Sequence, residues 1–474
     1  MKTVFKLLAF VLLSSTQLVK AQNQKPNVVF IMIDDLRPEL GCYGNSIIKT
    51  PNLDAFATNA VQFNGAYAQV PVCGASRASI HTGIRPTKNR FTKAASEIDH
   101  DTPNAVTLGQ HFKQNGYYTV SYGKMIHGYK DAAERTWSEY HPAENMFEYH
   151  QPENVAYETQ DKSLKKPYKH AAAYEISENT KDDDFLDGRT LTNATQKLTE
   201  LKDKKQPFFL AVGFARPHLP FVAPKRFWDL YSENDIKEPN NYYLPKNVPQ
   251  VALSKWGELR AYRGIPKKGN INDSQTRLNL KHGYYASVSF ADYLVGKLIT
   301  KLKKLNLYDN TIIVVIGDHG YQLGEHTMWA KHTDFEIALR VPLLIKTPKM
   351  KQGKKQNNIV ELVDLFPTLS DLAGLPILNQ NQGNSLTDIF KNPNTKTENH
   401  NYAFSRWKSG DSVKDKRYRY TEFTNKDGKI TAKMLYDHQT DPNENVNIAN
   451  TPENAKIVQK MHLALLNYKQ KYNL

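Results

Sequence analysis

Five short stretches carry the residue types that hold metal ions and move protons. Asp34-Asp35 closes one apolar run, and Gly317-Asp318-His319-Gly320 closes another. Gly123-Lys124-Met125-Ile126-His127 follows a third run, and Arg216-Pro217-His218 follows a fourth. The fifth stretch is Val70–Gly83, where Cys73 stands among small residues and Arg77 comes four places later. Asp34, Asp35 and Asp318 offer hard oxygen ligands of the kind that suit calcium or magnesium. His319 adds a nitrogen, which leaves manganese or zinc open, or else it supports a neighbouring ligand. A lone Asp-Asp pair is most often a cap or a turn. Four apolar runs that each end in Asp, His or Lys point instead to one polar cleft.

Such a cleft needs a frame, and the apolar runs supply it. Asn27–Ile33 is continuously apolar apart from its first residue, the pattern of a strand buried on both faces. Pro207–Phe214, Thr311–Ile316, Tyr118–Tyr122 and Pro342–Lys346 read as further strands. Thr50-Pro51 opens an amphipathic helix expected to run through Phe63, with threonine as cap and proline in the first turn. Val106–Gln114 is a second helix, ended by Asn115-Gly116. Tyr284–Leu305 has apolar residues at helical spacing. Alternating strands and helices imply an α/β sandwich with a largely parallel sheet, whose ligands bind at the carboxyl ends of the strands. Residues 128–206 and 231–281 read as long loops or insertions over the cleft. Lys351–Asn358 is a short low-complexity run, and no internal repeat is present.

The chain has 474 residues and a net charge of +15. Lys2 and Lys6, then the apolar Leu7–Leu13, then Val19-Lys20-Ala21 have the form of a secretory leader cleaved after Ala21. The leader carries three lysines and no acid, so the remainder stands three lower, at +12. No other apolar run is long enough to span a bilayer. A periplasmic or secreted protein of this charge favours an anionic partner. Nucleic-acid signatures are missing, which favours acidic or sulfated polysaccharide over nucleic acid, with simple solvation of the surface as the other reading of the charge. The lysine pairs at 165–166, 204–205 and 267–268 are either contacts for such a polyanion or plain solvated surface. Cys42 and Cys73 are the two cysteines, and in an exported chain a disulfide closing a loop of about thirty residues is the default suspicion.

An ordered set of motifs resembles the type I sulfatases, most closely the iduronate-2-sulfatase branch. It comprises Pro26–Asp35, Thr50–Asp54, Cys73-Gly74-Ala75-Ser76-Arg77 with Thr82-Gly83, Gly123-Lys124 and Arg216–Phe221. Tyr285–Ser289, Gly317–Gly320, Leu323–His326, Trp329-Ala330-Lys331 and Pro342 continue it. The resemblance covers roughly residues 25–375 and resumes at Arg417–Glu422, Leu435–Asp437 and Asp441-Pro442. It implies an alkaline-phosphatase-like α/β sandwich with a large mixed, mostly parallel sheet between helices. A small C-terminal α+β subdomain with an antiparallel sheet is implied as well. The corresponding division is a signal peptide over 1–21, a sulfatase catalytic domain over 22–390 and the subdomain over 391–474.

By the same resemblance, the cysteine of C-x-P/A-x-R, here Cys73, is oxidised to formylglycine (3-oxoalanine) by a formylglycine-generating or sulfatase-maturing enzyme. Ala75 stands where proline is commoner. A disulfide from Cys73 to Cys42 would block that conversion, so Cys42 is read as a free, buried thiol. The implied metal set is Asp34, Asp35, Cys73, Asp318 and His319 around one divalent cation, with calcium expected. The implied catalytic set is Cys73, Arg77, Lys124, His127, His218 and Lys331. Arg77 holds the nucleophile and the metal ligands, and Lys124 neutralises charge on the sulfuryl oxygens. His127 is the base, while His218 or Lys331 protonates the departing oxygen. His218 is favoured because imidazole titrates nearer neutrality.

The chemistry itself explains the modification. A hydrated aldehyde carries two hydroxyls on one carbon. One takes the sulfuryl group, and loss of the other's proton collapses the ester and frees sulfate. A serine ester would stall. His81 is read as packing and His326 as a loop-shaping residue. The long loops are expected to set sugar specificity. Candidate substrates are 2-O-sulfated iduronate in glycosaminoglycans and algal sulfated-rhamnose glycans of the ulvan type. Two other readings compete: a phosphonate or phosphodiester hydrolase on the same fold, and a catalytically inactive glycan-binding homologue.

Overall fold

A computed structural model describes residues 25–160, 166–391 and 401–472. The leader expected over residues 1–21, and Lys165 of one lysine pair, lie outside the described residues.

The central sheet has eight strands. In chain order they are β1 (Asn27–Ile33), β2 (Val61–Tyr67), β3 (Tyr118–Gly123), β4 (Glu139–Pro142), β5 (Phe208–Phe214), β6 (Thr311–Gly317), β7 (Arg340–Lys346) and β8 (Lys354–Glu361). Across the sheet the order is β8-β2-β7-β6-β1-β5-β3-β4. Only β7 runs against its neighbours, β6 and β2; every other pairing is parallel. The sheet is therefore mixed and mostly parallel, as the apolar runs implied. All residues of β1, β5 and β6 are buried.

Successive side chains of β1 feed opposite layers, as strand geometry requires. Val29, Ile31 and Ile33 pack in one layer with Leu294 and Leu298 of the helix α5 (Ser274–Lys304). Val28, Phe30 and Met32 pack in the other with Leu108 and Phe112 of the helix α3 (Leu108–Gln114). A second, four-stranded antiparallel sheet follows near the C-terminus: β9 (Ala403–Trp407), β10 (Gly410–Lys414), β11 (Tyr418–Thr424) and β12 (Ile430–Asp437). The helix α6 (Ala455–Tyr472) packs on it through Met461 and Leu465.

Several boundaries differ from those expected. The helix opened by Thr50-Pro51 is only Pro51–Ala57 (α1), and Val61–Tyr67 is strand β2. Thr50 does not cap through a side-chain bond to a backbone N–H; its hydroxyl bonds Asp54 Oδ1 at 3.1 Å. The pull of two sheet partners, β7 and β8, outweighs local helix preference beyond Ala57. The helix expected from Val106 begins at Leu108, where Thr107 and Gln110 form a capping box. Segment 128–206 contains α4 (Leu186–Lys202), and α5 starts ten residues before Tyr284, capped by Asp273. The Lys/Asn run at 351–358 is largely the start of β8, an edge strand, where lysines discourage further pairing. The helix α2 (Cys73–Thr82) begins at Cys73 itself.

Candidate active site

Parallel registry aligns the strand ends that the sequence singled out. Ile33 of β1 pairs with Gly317 of β6 and with Phe214 of β5, and Gly123 of β3 pairs with Gly213 of β5. Asp34-Asp35, Asp318-His319, Lys124 and Arg216–His218 therefore leave the sheet on the same edge. Asp35 takes a positive φ of 60°, a conformation aspartate tolerates better than most residues. Its backbone is held there, because Asp35 N donates to Asp318 Oδ1 at 3.1 Å and Asp35 O accepts from Tyr284 Oη at 2.8 Å.

Helix α2 fills the space above these ends, and every one of its residues is buried. Val72 precedes it without a side-chain cap, so the first N–H groups, beginning with that of Cys73, have no partner within the helix. Gly74 is required there: a Cβ would lie 1.8 Å from the Ala94 carbonyl oxygen. Ser76 Oγ donates to Asp318 O at 2.5 Å. Arg77, one turn on, donates through Nε to Asp318 Oδ2 at 2.8 Å and faces Asp34 Oδ1 with Nη2 at 3.2 Å. Its Nη1 donates to the Lys124 carbonyl and lies 3.4 Å from Met125 O. One guanidinium thus ties β1, β3 and β6 together.

The donor atoms of Asp34, Asp35, Cys73 and His319 all lie within 4.8 Å of one another. His319 Nδ1 is 2.9 Å from Gly320 O, so that nitrogen carries the proton and Nε2 presents its lone pair. Nε2 is 3.2 Å from Cys73 Sγ and 3.4 Å from Asp35 Oδ1. Asp34 Oδ1 is buried and accepts no hydrogen bond. Burial disfavours the charge on Asp34, but Lys124 and Arg77 outweigh it and hold its pKa well below the usual range. Asp35 is pushed up to about 7, by burial first and by Asp34, against the pull of Lys331. Crowded carboxylates and an unbonded buried oxygen form a donor set that fits a hard divalent cation. Asp318 stands differently: its oxygens already accept from Arg77 Nε and from the N–H groups of Asp35 and His319. Oδ1 accepts two of these bonds and Oδ2 one, so Oδ2 keeps a free lone pair.

The basic residues surround this cluster. Lys124 Nζ pairs with Asp34 Oδ2. Lys331 Nζ lies 2.8 and 3.0 Å from the two oxygens of Asp35. Burial opposes its charge, but Asp35 and other anions keep its pKa well above the ordinary lysine value. Positive φ at Ala330 and His332 brackets it, with His326 and Thr327 in the same state nearby, and strain of that kind concentrates at functional sites. His218 is buried, and its pKa is lowered by burial, then by Lys331 and Lys124. His127 opens to solvent on one side of the cleft, yet crowding by the wall and the charge of Lys124 push its imidazole below its ordinary value. The Cys73 thiol is pushed well up by burial and Asp34, so an unmodified thiolate nucleophile is disfavoured.

A cavity of about 570 Å³ joins Cys73, Lys124, His127, His218 and Lys331. Five of the six expected catalytic residues line it, Arg77 being held instead on Asp318; of the expected metal ligands Cys73 lines it, Asp34, Asp35 and His319 cluster with Cys73, and Asp318 is bonded by Arg77. The two long segments form much of its wall: Tyr140 and Phe147 come from one, and Glu258 and Tyr262 from the other. Two lining residues escaped sequence reasoning. Glu258 accepts a bond from Lys331 and lies 2.8 Å from His218 Nε2 but sits in an irregular loop with no motif. His332 is adjacent to Lys331 and stacks on Trp407 at 5.0 Å between ring centres; adjacency alone could have flagged it. His81 packs between Phe30 and Trp137. Cys42 is a half-buried free thiol, pushed up to about 12 by burial and Asp54.

Comparison with known proteins bears on this arrangement. A family profile described as Sulfatase matches residues 26–375, and one described as N-sulphoglucosamine sulphohydrolase, C-terminal, matches residues 324–471. Iduronate 2-sulfatase of Mus musculus is 31% identical, with 92% of this chain and 93% of that protein covered. A solved protein in complex with its substrate D-glucosamine-2-N,6-O-disulfate superposes with a TM-score of 0.77 at 23% identity, covering 95% of this chain and 98% of the other. A phosphonate monoester hydrolase from Silicibacter pomeroyi superposes at 0.74 with 23% identity, covering 94% and 96%.

Proposed function

The chain belongs to the sulfatase family and is a sulfuric ester hydrolase of alkaline-phosphatase-like fold, and from that premise we propose that it desulfates an anionic glycan through a formylglycine made from Cys73. The carrying observation is that Cys73 opens a buried helix within 4.8 Å of the donors of Asp34, Asp35 and His319, in a cavity also lined by Lys124, His218 and Lys331. The glycan class is supported by the net charge of +12 left after the leader, by a cavity walled by aromatic rings and basic groups, and by similar proteins that act on sulfated iduronate and glucosamine. Export to the periplasm or beyond rests on the leader at residues 1–21. Among the described residues, no helix is long and apolar enough to cross a membrane.

Each side chain then has a task. Asp34, Asp35, Asp318 and His319, with residue 73, would hold a divalent cation, with calcium expected from the oxygen-rich set. That cation would supply positive charge for the sulfate oxygens. Residue 73, once converted by a maturing enzyme, would supply two hydroxyls on one carbon, one to take the sulfuryl group and one to release it. Arg77 fixes the carboxylates in place. Lys124 offsets charge that grows on the sulfuryl oxygens. His127, kept neutral by its surroundings, accepts a proton near residue 73. His218 and Lys331 stand where the departing oxygen needs a proton, and His218 is the nearer match in acidity.

The test is sulfate release from defined sulfated oligosaccharides, 2-O-sulfated uronates and sulfated rhamnose fragments included, beside a phosphonate monoester. Sulfate release that vanishes in Cys73→Ala, with the fold kept, supports the reading. Faster cleavage of the phosphonate, or unchanged release in Cys73→Ala, overturns it.

A further inference from the structure

We propose that Glu258 is a positioning residue of the sulfatase site, gathering the His218 and Lys331 donors against the departing alcohol oxygen. Glu258 lies in an irregular loop just before the short turn Leu259–Ala261, and its side chain lines the cavity that also holds Cys73. His218 Nδ1 is 2.6 Å from Leu219 O. A carbonyl can only accept, so Nδ1 carries a hydrogen. The other ring nitrogen, Nε2, is 2.8 Å from Glu258 Oε1. At that distance the contact is an ion pair, and Glu258 is the anion that opposes the burial, Lys331 and Lys124 that otherwise disfavour a second hydrogen on His218.

Lys331 completes the arrangement. Its Nζ lies 3.1 Å from each oxygen of Glu258, while its far side rests on Asp35. One carboxylate therefore meets two basic groups from separate loops on one wall of the cavity. The Glu258 side chain is 22% exposed, so it is open to the cavity rather than sealed in the core. When the S–O bond to the sugar breaks, its electron pair goes to the sugar oxygen. A hydrogen held on this wall passes to that oxygen as a proton, and the nitrogen that gave it recovers one from water. Glu258 acts through these donors and does not touch the sulfur.

The inference rests on the proposed function, in which His218 and Lys331 face the leaving oxygen. It is tested with Glu258→Gln and Glu258→Asp on two esters. A sugar sulfate departs as an alkoxide that needs a proton; para-nitrophenyl sulfate departs as a stable phenolate that does not. In Glu258→Gln, kcat on the sugar sulfate is expected to fall roughly 10²–10⁴-fold, the range of general acid catalysis, and on the aryl sulfate less than about 10-fold. KM should change little, and Glu258→Asp should recover part of the loss. Equal losses on both esters, or no loss, overturn the inference. Heavy-nitrogen histidine NMR of the resting parent enzyme, with His218→Gln for assignment, gives a readout independent of substrate choice. Followed across pH, His218 is expected to take up its second hydrogen at a lower pH in Glu258→Gln than in the parent, and an unchanged midpoint is contrary. A parent that cleaves neither ester contradicts the functional reading itself, whereas an active parent with equal losses contradicts only the role of Glu258.

Discussion

Replacing Arg77 by lysine tests whether one guanidinium holds the carboxylate cluster together. The side chain is fully buried and reaches Asp318, Asp34, and the carbonyls of Lys124 and Met125. A lysine keeps the charge but has one nitrogen in place of a planar fork. It can satisfy one of the two carboxylates, leaving the other without its guanidinium contact and the Lys124 carbonyl without a donor. A charge-assisted bond contributes about 1.5–3 kcal/mol, and an orphaned buried acceptor costs about 1–3 kcal/mol. The retained charge offsets part of that sum, so the expected loss is about 3–5 kcal/mol, the range for breaking a buried pair. Typical domains are stable by only about 5–15 kcal/mol, so the variant should fold but unfold at markedly lower urea. The assay is urea unfolding followed by tryptophan fluorescence, with and without calcium. Because Asp34 and Asp318 are no longer clamped, calcium should stabilise the variant less than the parent. A loss below about 1 kcal/mol, well under the range for a broken buried pair, with a parent-like calcium response would refute the reasoning.

Three further outcomes are expected. Chelation should lower the stability of the parent enzyme, and calcium at 100 times its Kd should restore about 2.7 kcal/mol; indifference to both would contradict a cation at Asp34, Asp35 and Asp318. His81 is held neutral, with its pKa pushed down to about 4 by burial and then by Arg77, so the unfolded chain takes up a proton that the native state refuses. Stability should therefore fall as pH drops from about 6.5 to about 4, and His81→Phe should lose about 3 kcal/mol less over that window in urea unfolding; parallel curves would contradict this. Glu361 accepts from Arg85 at 2.7 and 2.5 Å, and Arg85 lies over Tyr468 and Tyr472 of α6. Glu361→Ala should cost about 3–5 kcal/mol by leaving that guanidinium unpaired, with part recovered in an Arg85→Met, Glu361→Ala double variant; a neutral single variant would show that the clamp is idle.

Much of this was legible because parallel strands buried on both faces must be apolar throughout. The first polar residue after each run then marks the edge of the sheet, which is why Asp34, Lys124, Arg216 and Asp318 stood out. Strand β2 was not legible, since Gln62, Asn64 and Gly65 break its apolar run and only its pairing with β7 and β8 makes it a strand. Edge strand β8 reads as a polar run because it has one strand neighbour and several exposed residues. The helix α4 was hidden by its polar face, although Leu191, Leu198 and Leu201 are buried at helical spacing. Glu258 was invisible for a different reason: no local pattern precedes a loop carboxylate whose partners lie 40 and 73 residues away in sequence. The roles of Cys73 and Lys331 came from motif resemblance, and the structure adds that both meet Asp35 across one cavity.

The central claim concerns the atom that residue 73 presents to the cation. Purified enzyme that releases sulfate should be digested and the peptide carrying Cys73 weighed, with and without an aldehyde-trapping hydrazine. The expected peptide is lighter than the encoded one by the thiol-to-aldehyde difference and gains one hydrazone. A fully active preparation whose peptide has the unmodified cysteine mass and gains no hydrazone would contradict the account.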